Sequence, residues 1–333
     1  MARIAQLPGL ILKREWGVHR MPSSSLNSEW QVRRSLASRL VGRLKQVTDP
    51  VAPRISQPPD LRSAGATNFC SPIFIIGCQR SGTSLLRRIM DSHSNIACPP
   101  ETNFILPLAM LLEDVKAMAG FDSMGYAKPQ VEKTLAQFIS SFFEEYASLQ
   151  GKRRWADKTP QYVDCLPQLG HLFGPSARFI MIIRHGLDVA FSLSDAHRHY
   201  RVIDPYVAGA GGKVAVGAGV FWAQQNEKME EFRASSPDIC FRLRYEDLTS
   251  HPEPTLRSLF AFLGEPWEPQ VMEYWKFPHH AGIEDPEVRR RRQLEPNSHR
   301  YQTWPAEVQL AVAQACEPLL SRLGYSIEVS HPA

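Results

Sequence analysis

No apolar run in the 333-residue chain approaches the roughly 18–20 residues needed to cross a bilayer, so no transmembrane segment is expected. The start, MARIAQLPGLILKREW, holds an apolar stretch too short for a secretory core, with basic residues after it. Export and a type II anchor are therefore not expected. There is no C-x-x-C pair. The six cysteines (Cys70, Cys78, Cys98, Cys165, Cys240 and Cys316) are scattered, which disfavours zinc and a disulfide framework. Free thiols in a reducing, cytoplasmic compartment are the expectation. Charge of one sign is also scarce: 38 Lys/Arg against 34 Asp/Glu, a net +4. Residues 1–66 hold 11 Lys/Arg and 4 Asp/Glu, so that arm carries +7 and the rest sums to −3. A near-neutral body gives no support to nucleic-acid binding. No internal repeat is visible.

What is present is a chain large enough, at 43% hydrophobic residues, to bury a sizeable core. Residues 1–66 read as an appendage, and 67–333 as the main domain. SSSLNSEWQVRRSLASRLVGRLKQV predicts one amphipathic helix capped near Asn27 or Ser28, with Leu36, Leu40 and Leu44 on one face. A Pro-rich linker follows. Such a helix packs on the domain or on a second copy in a homodimer; the alternatives are weak contact with a membrane surface and disorder.

From residue 71 strands alternate with helices. PIFIIG and ARFIMIIR read as buried parallel strands, and ICFRLRYEDL as a third. GTSLLRRIMDSH, AMLLEDVKAM, QVEKTLAQFISSFFEEYASL, HGLDVAFSLSDAHRHY and PEPTLRSLFAFLG read as helices. TPQYVDCLPQLGHLF predicts a helix with Thr159 at the cap and Pro160 at its first position. GAGGKVAVGAG reads as a Gly-rich loop before the helix VFWAQQNEKMEEFRA. The pattern implies an α/β, P-loop-type three-layer fold with a central parallel sheet flanked by helices.

The first strand runs into FIIGCQRSGTS, Phe74–Ser84, which nearly spells G-x-x-x-x-G-K-[ST]: Gly77, Gly82 and Ser84 are in register, but Thr83 stands where lysine belongs. A Gly-rich turn from a buried strand into a helix presents backbone N–H groups and the positive end of the helix dipole to an anion. The missing cation can come from Arg80, whose planar fork suits a tetrahedral oxyanion. ARFIMIIR ends in Arg184 rather than an acid, so no second magnesium ligand is evident. The expected ligand is an anionic donor that does not travel as a metal complex.

FIIGCQRSGTSLLRRIMDSH resembles the 5′-phosphosulfate loop of sulfotransferases, which use 3′-phosphoadenosine 5′-phosphosulfate (PAPS). FIMIIRHGLDVAFS resembles their 3′-phosphate motif, with Arg184 and Ser192, and RLRYEDLTSHPEPTLRSLFAFLG the strand and helix that follow. Together these cover about residues 70–325, and the likeness is nearest the tyrosylprotein sulfotransferase branch and its bacterial relatives. The resemblance places Glu101 at the catalytic base and Lys158, in WADKTP, near the transferring group. It puts Gly77, Arg80, Ser81, Gly82, Thr83 and Ser84 in the donor loop and Tyr245 at a nucleoside contact. Ser298 and Arg300, in NSHRYQTW, fall in a loop closing over the donor. An arginine of the branch is Ala196 here; Arg198 or the C-terminal loop would have to compensate.

The resemblance implies sulfuryl transfer from PAPS, without a metal, to a hydroxyl or amine. Catalysis would rest on positioning and charge stabilisation by Arg80 and Lys158, with Glu101 taking the acceptor's proton. Plainer readings stand beside these. Glu101 could cap a helix, Lys158 could pair with Asp157 at the surface, Arg184 could pair with Asp188, and Tyr245 could be core packing. Arg289–Arg292 read as a solvated helix face, and His279 and His280, with no acidic or cysteine partner at ligand spacing, as structural or acceptor-side residues. The competing functions are a P-loop kinase or nucleotidase with a displaced lysine, and a non-catalytic adaptor. The acceptor segments expected are 103–130 and 197–217, with Phe104, Phe121, Tyr126 and Tyr200. They suit a small molecule, a glycan, a lipid headgroup or a peptide tyrosine.

Overall fold

The computed structural model describes residues 71–198 and 201–326. The arm at 1–66, Cys70 and Tyr200 lie outside the described residues. The strands are β1 (Ile73–Ile76), β2 (Ile96–Ala97), β3 (Arg154–Lys158), β4 (Arg178–Ile183) and β5 (Cys240–Arg244). All pairings are parallel, in the order β2-β3-β1-β4-β5. Period-two alternation sorts their side chains onto two cores. Phe74 and Ile76 pack with Phe179, Met181 and Ile183 on one face, and Ile73 and Ile75 with Ile180 and Ile182 on the other. A sheet apolar on both faces must be covered twice, which is the physical reason for three layers.

In chain order the helices that cover it are α1 (Thr83–Asp91), α2 (Ile105–Leu111), α3 (Val115–Ser123), α4 (Lys128–Leu149), α5 (Leu166–Phe173), α6 (Gly186–Ala196), α7 (Asp204–Gly209), α8 (Val214–Ser235), α9 (Tyr245–Ser250), α10 (Pro252–Leu263), α11 (Glu287–Arg290), α12 (Ala306–Cys316) and α13 (Leu319–Arg322). Leu86 and Ile89 of α1 and Leu256, Leu259 and Phe260 of α10 close one core. Phe143 of α4, Leu169 of α5, Leu187 of α6, Trp222 of α8 and Val312 of α12 close the other.

Several elements depart from the expected pattern. AMLLEDVKAM is two helices, because Asp114 Oδ1 accepts from Lys116 N and Ala117 N and starts a new one. The segment after Thr159 opens as a 3₁₀ turn, Pro160–Cys165. Thr159 does not cap it; its hydroxyl donates to Asp157 Oδ1 at 3.2 Å. α8 begins at Val214, inside the expected Gly-rich loop. A Cβ on Gly217 would sit 2.6 Å from Val207 N, so that glycine serves close helix packing. β5 stops at Arg244, and Tyr245 already belongs to α9.

β1 lies between β3 and β4, so the connections leaving the carboxyl ends diverge to either side of it. That is where an open α/β sheet forms its ligand crevice. The loop Gly77–Ser84 follows β1, Lys158 ends β3, Arg184 follows β4 and Tyr245 follows β5.

Candidate active site

The loop after β1 is tight. Ser81 N donates to Cys78 O at 3.1 Å, and Arg80 and Gly82 hold φ of 70° and 96°. A Cβ on Gly82 would lie 2.5 Å from Tyr245 Cδ2, and one on Gly77 would lie 2.7 Å from Ile182 Cγ2. Glycine is thus required at 77 by strand packing and at 82 by both conformation and space. Gly82 caps α1 with no side-chain hydrogen bond, so the first-turn N–H groups of Thr83, Ser84 and Leu85 have no intrahelical acceptor. They open onto a cleft of about 450 Å³, within the usual range for a small-ligand site.

Arg80 and Arg184 are locked together at the cleft floor. Arg80 Nε donates to Ser192 Oγ at 2.9 Å, and its NH1 meets Asp285 Oδ1 at 3.2 Å. Arg184 donates to Arg80 O at 2.9 Å and to Asn297 O, and its guanidinium lies 4.5 Å from the Tyr245 ring centroid. Its Nε is buried with no partner. Asp188 does not pair with Arg184. It accepts from the backbone N–H groups of His299 and Arg300, each at 3.0 Å, and so docks the C-terminal loop on α6.

Lys158 is fully buried and is no surface ion pair. Its Nζ donates to Glu101 Oε1 at 2.6 Å and lies 3.4 Å from Ser84 Oγ. Glu101 caps no helix; the residue before α2 is Phe104. Beside Lys158, Asp157 accepts from Thr102 Oγ1 and Thr159 Oγ1. Burial pushes its carboxyl up to about 6, against the pull of these hydrogen bonds and the Lys158 charge.

The segment 282–291 crosses the loop, and sequence reasoning missed it. Ile283 O accepts from Glu101 N at 3.2 Å, and Asp285 N donates to Ser84 Oγ at 3.1 Å. The Glu284 carboxylate is fully buried among Arg87, Arg88 and Arg289, at 2.5, 2.7 and 2.9 Å. Burial alone would raise it, but the hydrogen bonds and charges of Arg88 and Arg87 hold it at about 2. Arg291 lines the cleft and donates to Tyr245 OH at 3.2 Å, which corrects the reading of the whole arginine run as a solvated face.

Arg80, Gly82, Thr83, Ser84, Glu101, Arg184, Ser192, Tyr245 and Arg300 therefore share one cleft, with Lys158 behind Glu101. Gly77 and Ser81 are buried within the loop itself, with Ser81 Oγ unpartnered. Ser298 faces a separate cleft of about 170 Å³ with His185 and Tyr301. Ala196 lines the main cleft, whereas Arg198 is exposed and outside its lining. His279 meets Asp91, distant in sequence, at 2.7 Å, and His280 meets Tyr146 OH at 2.7 Å. Phe104, at an expected acceptor segment, packs on Phe142 and Phe143.

Residues 72–269, more than half the chain, match the profile described as "Sulfotransferase family". Protein-tyrosine sulfotransferase 1 of Danio rerio is 26% identical over 272 residues, 78% of this chain and 74% of that protein. The protein-tyrosine sulfotransferase of Drosophila melanogaster is 26% identical over 275 residues, 78% of this chain but 52% of its own length. Nodulation protein NoeE of Sinorhizobium fredii is 25% identical over 293 residues, 78% and 67%. Among solved structures, the sulfotransferase domain from the curacin biosynthetic pathway shares the fold, with a TM-score of 0.55 at 22% identity over 77% of this chain and 98% of that one. A match of this extent leads to one assignment: the chain belongs to the sulfotransferase family and is an enzyme of that class.

Proposed function

We propose that the chain transfers a sulfuryl group from PAPS to a hydroxyl, or amine, of an acceptor. The observation that carries this reading is the position of Lys158, whose ammonium touches both Glu101 and, more distantly, the loop hydroxyl of Ser84. One cation thereby joins the base that would accept the acceptor's proton to the loop that would carry the leaving phosphate.

The cleft suits a polyanionic nucleotide by its own chemistry. Arg184, Arg291 and Arg300 line it, and none has an ion-pair partner among the described residues. The Arg184 Nε is buried and orphaned, and the first turn of α1 offers free N–H groups. Arg80 and the N–H groups of Gly82, Thr83 and Ser84 would hold the 5′ end, Arg184 and Ser192 the 3′-phosphate, and Tyr245 the nucleoside. PAPS supplies an activated sulfur. In the transfer the acceptor oxygen bonds to it, the bridging S–O bond to phosphate breaks, and the acceptor proton passes to the Glu101 carboxylate. Lys158 would meet charge gathering on the departing phosphate. The donor's charge is answered by guanidinium and amide groups, so we propose that no metal is needed.

For the acceptor we propose a small molecule, glycan or lipid headgroup; the names of several relatives support a peptide tyrosine as well. The same reading includes a cytoplasmic setting, an appendage at 1–66 and a catalytic domain at 67–333. Incubating the purified chain with PAPS and a fractionated cell extract tests the reaction. Products one SO₃ heavier, formed with 3′,5′-adenosine bisphosphate in equal amount, are expected. Neither appearing with any fraction, while ATP is consumed, would overturn the proposal.

A further inference from the structure

The run Arg289–Arg292 divides by partner. Arg289 pairs with Glu284 and Arg290 with Glu287, at 2.9 and 3.0 Å. Arg292 is exposed and reaches Arg289 O at 3.4 Å. α11 ends at Arg290, with Val288 buried in the core, and Arg291 follows in extended backbone with φ −72° and ψ 137°. That break turns Arg291 off the face used by its neighbours. It enters the main cleft, has no ion pair among the described residues, and donates to Tyr245 OH at 3.2 Å.

The same tyrosine carries Arg184 over its ring at 4.5 Å. Two guanidinium groups are thus fixed on one rigid ring, and the Arg184 Nε is buried and unpartnered. Neither guanidinium makes an ion pair among the described residues, although Asp285, on the cleft wall, acts on Arg291 through its charge; an anion bridging the two guanidinium groups is attracted by both. The ring fixes where the anion must sit. The nearby wall of Ser192, Asp195 and Ala196 supplies no cation of its own.

We propose that Arg291 is the second guanidinium for the donor's 3′-phosphate, acting with Arg184 and supplying the charge that Ala196 does not. This rests on the donor reading above. Arg291 is then a specificity-determining residue: it separates a 3′-phosphorylated adenosine from adenosine carrying only a 5′ group, and leaves the 5′ end to the loop at 77–84.

Calorimetric titration of the full chain with 3′,5′-adenosine bisphosphate and with adenosine 5′-monophosphate tests this. The wild-type chain should prefer the bisphosphate at least tenfold. Arg291→Ala should weaken the bisphosphate about tenfold or more and leave the monophosphate within about twofold, because a charge-assisted fork is lost only from the 3′ side. Retained monophosphate binding shows that the variant is folded. Arg291→Lys should fall between, since it keeps the charge and loses the fork. Arg292→Ala should match wild type. Arg291→Ala that changes neither ligand, or both equally, overturns the assignment of Arg291 while leaving the donor reading standing. A wild-type chain with no preference overturns the donor reading and this inference with it.

Discussion

Asp285 Oδ1 sits 3.2 Å from Arg80 NH1, on the guanidinium that the proposed donor would use. A carboxylate of the protein thus stands where an anion of the ligand belongs, held over the loop by its own N–H on Ser84 Oγ. Both side chains are partly exposed, 24% for Arg80 and 30% for Asp285, so solvent screens the pair. A pair of this kind is worth about 0.2–1 kcal/mol.

Removing that competitor should help the donor modestly. Asp285→Asn is expected to tighten 3′,5′-adenosine bisphosphate about 1.4- to fivefold, which is the pair's screened energy expressed as an affinity ratio. Weaker binding in a calorimetric titration would mean that Asp285 orients Arg80 for the ligand instead of opposing it.

Glu101→Gln tests the base. Turnover should fall by roughly 10²–10⁴ with bisphosphate affinity within about tenfold of wild type. The variant also leaves Lys158 buried opposite a neutral amide, so its unfolding midpoint should drop. Normal turnover of a verified acceptor would remove Glu101 from the proton-transfer role.

Gly82→Ala asks for an L side chain at φ 96° with its Cβ 2.5 Å from the Tyr245 ring. Strain of about 1–3 kcal/mol is expected in chemical denaturation, together with loss of nucleotide binding as Tyr245 is pushed aside. A variant with wild-type stability would show that the loop relaxes without cost.

Acid should act through Glu284. Its folded value, about 2, lies below the ordinary 4.5, so its stabilisation is complete above pH 4.5 and is lost as pH falls toward 2. The shift corresponds to about 3 kcal/mol. Asp157 has the opposite sign: raised from 3.8 to about 6, it costs stability as pH climbs through that window. Glu284→Gln should flatten the loss below pH 4.5 in urea unfolding series. At pH 7 it should destabilise by about 3 kcal/mol, because buried Arg87 loses its 2.5 Å partner and keeps, of its two carboxylates, Asp91 at 3.6 Å. An unchanged acid limb would place the acid sensitivity elsewhere.

The central strands and the loop were legible because their signals are local. β1 and β4 are uninterrupted apolar runs, and Gly77, Arg80, Gly82 and Ser84 sit at fixed spacings on one turn. β3 was missed because RWADK has charged ends: Arg154 is buried against Glu265, Ser71 and Leu263, and Lys158 against Glu101 and Ser84, all far away in sequence. β2 is two residues long and carries no pattern of its own. The segment at 282–291 reaches Arg87, Arg88 and Ser84 across nearly 200 residues, so nothing near it in the chain announces that it covers the site. Arg291 differs from Arg290 only in backbone direction, which composition does not encode. The break at Asp114 was readable, since an acid followed by an apolar helical stretch is an N-cap signal.

The account depends above all on a cleft that selects a 3′-phosphorylated adenosine through arginine and amide groups. Titrating the full chain with 3′,5′-adenosine bisphosphate in EDTA, beside ATP with magnesium, tests that most directly. The bisphosphate should bind without metal, Arg184→Ala should weaken it more than about tenfold, and ATP should bind poorly. Tight, magnesium-dependent ATP binding, or bisphosphate binding that Arg184→Ala leaves intact, would contradict it.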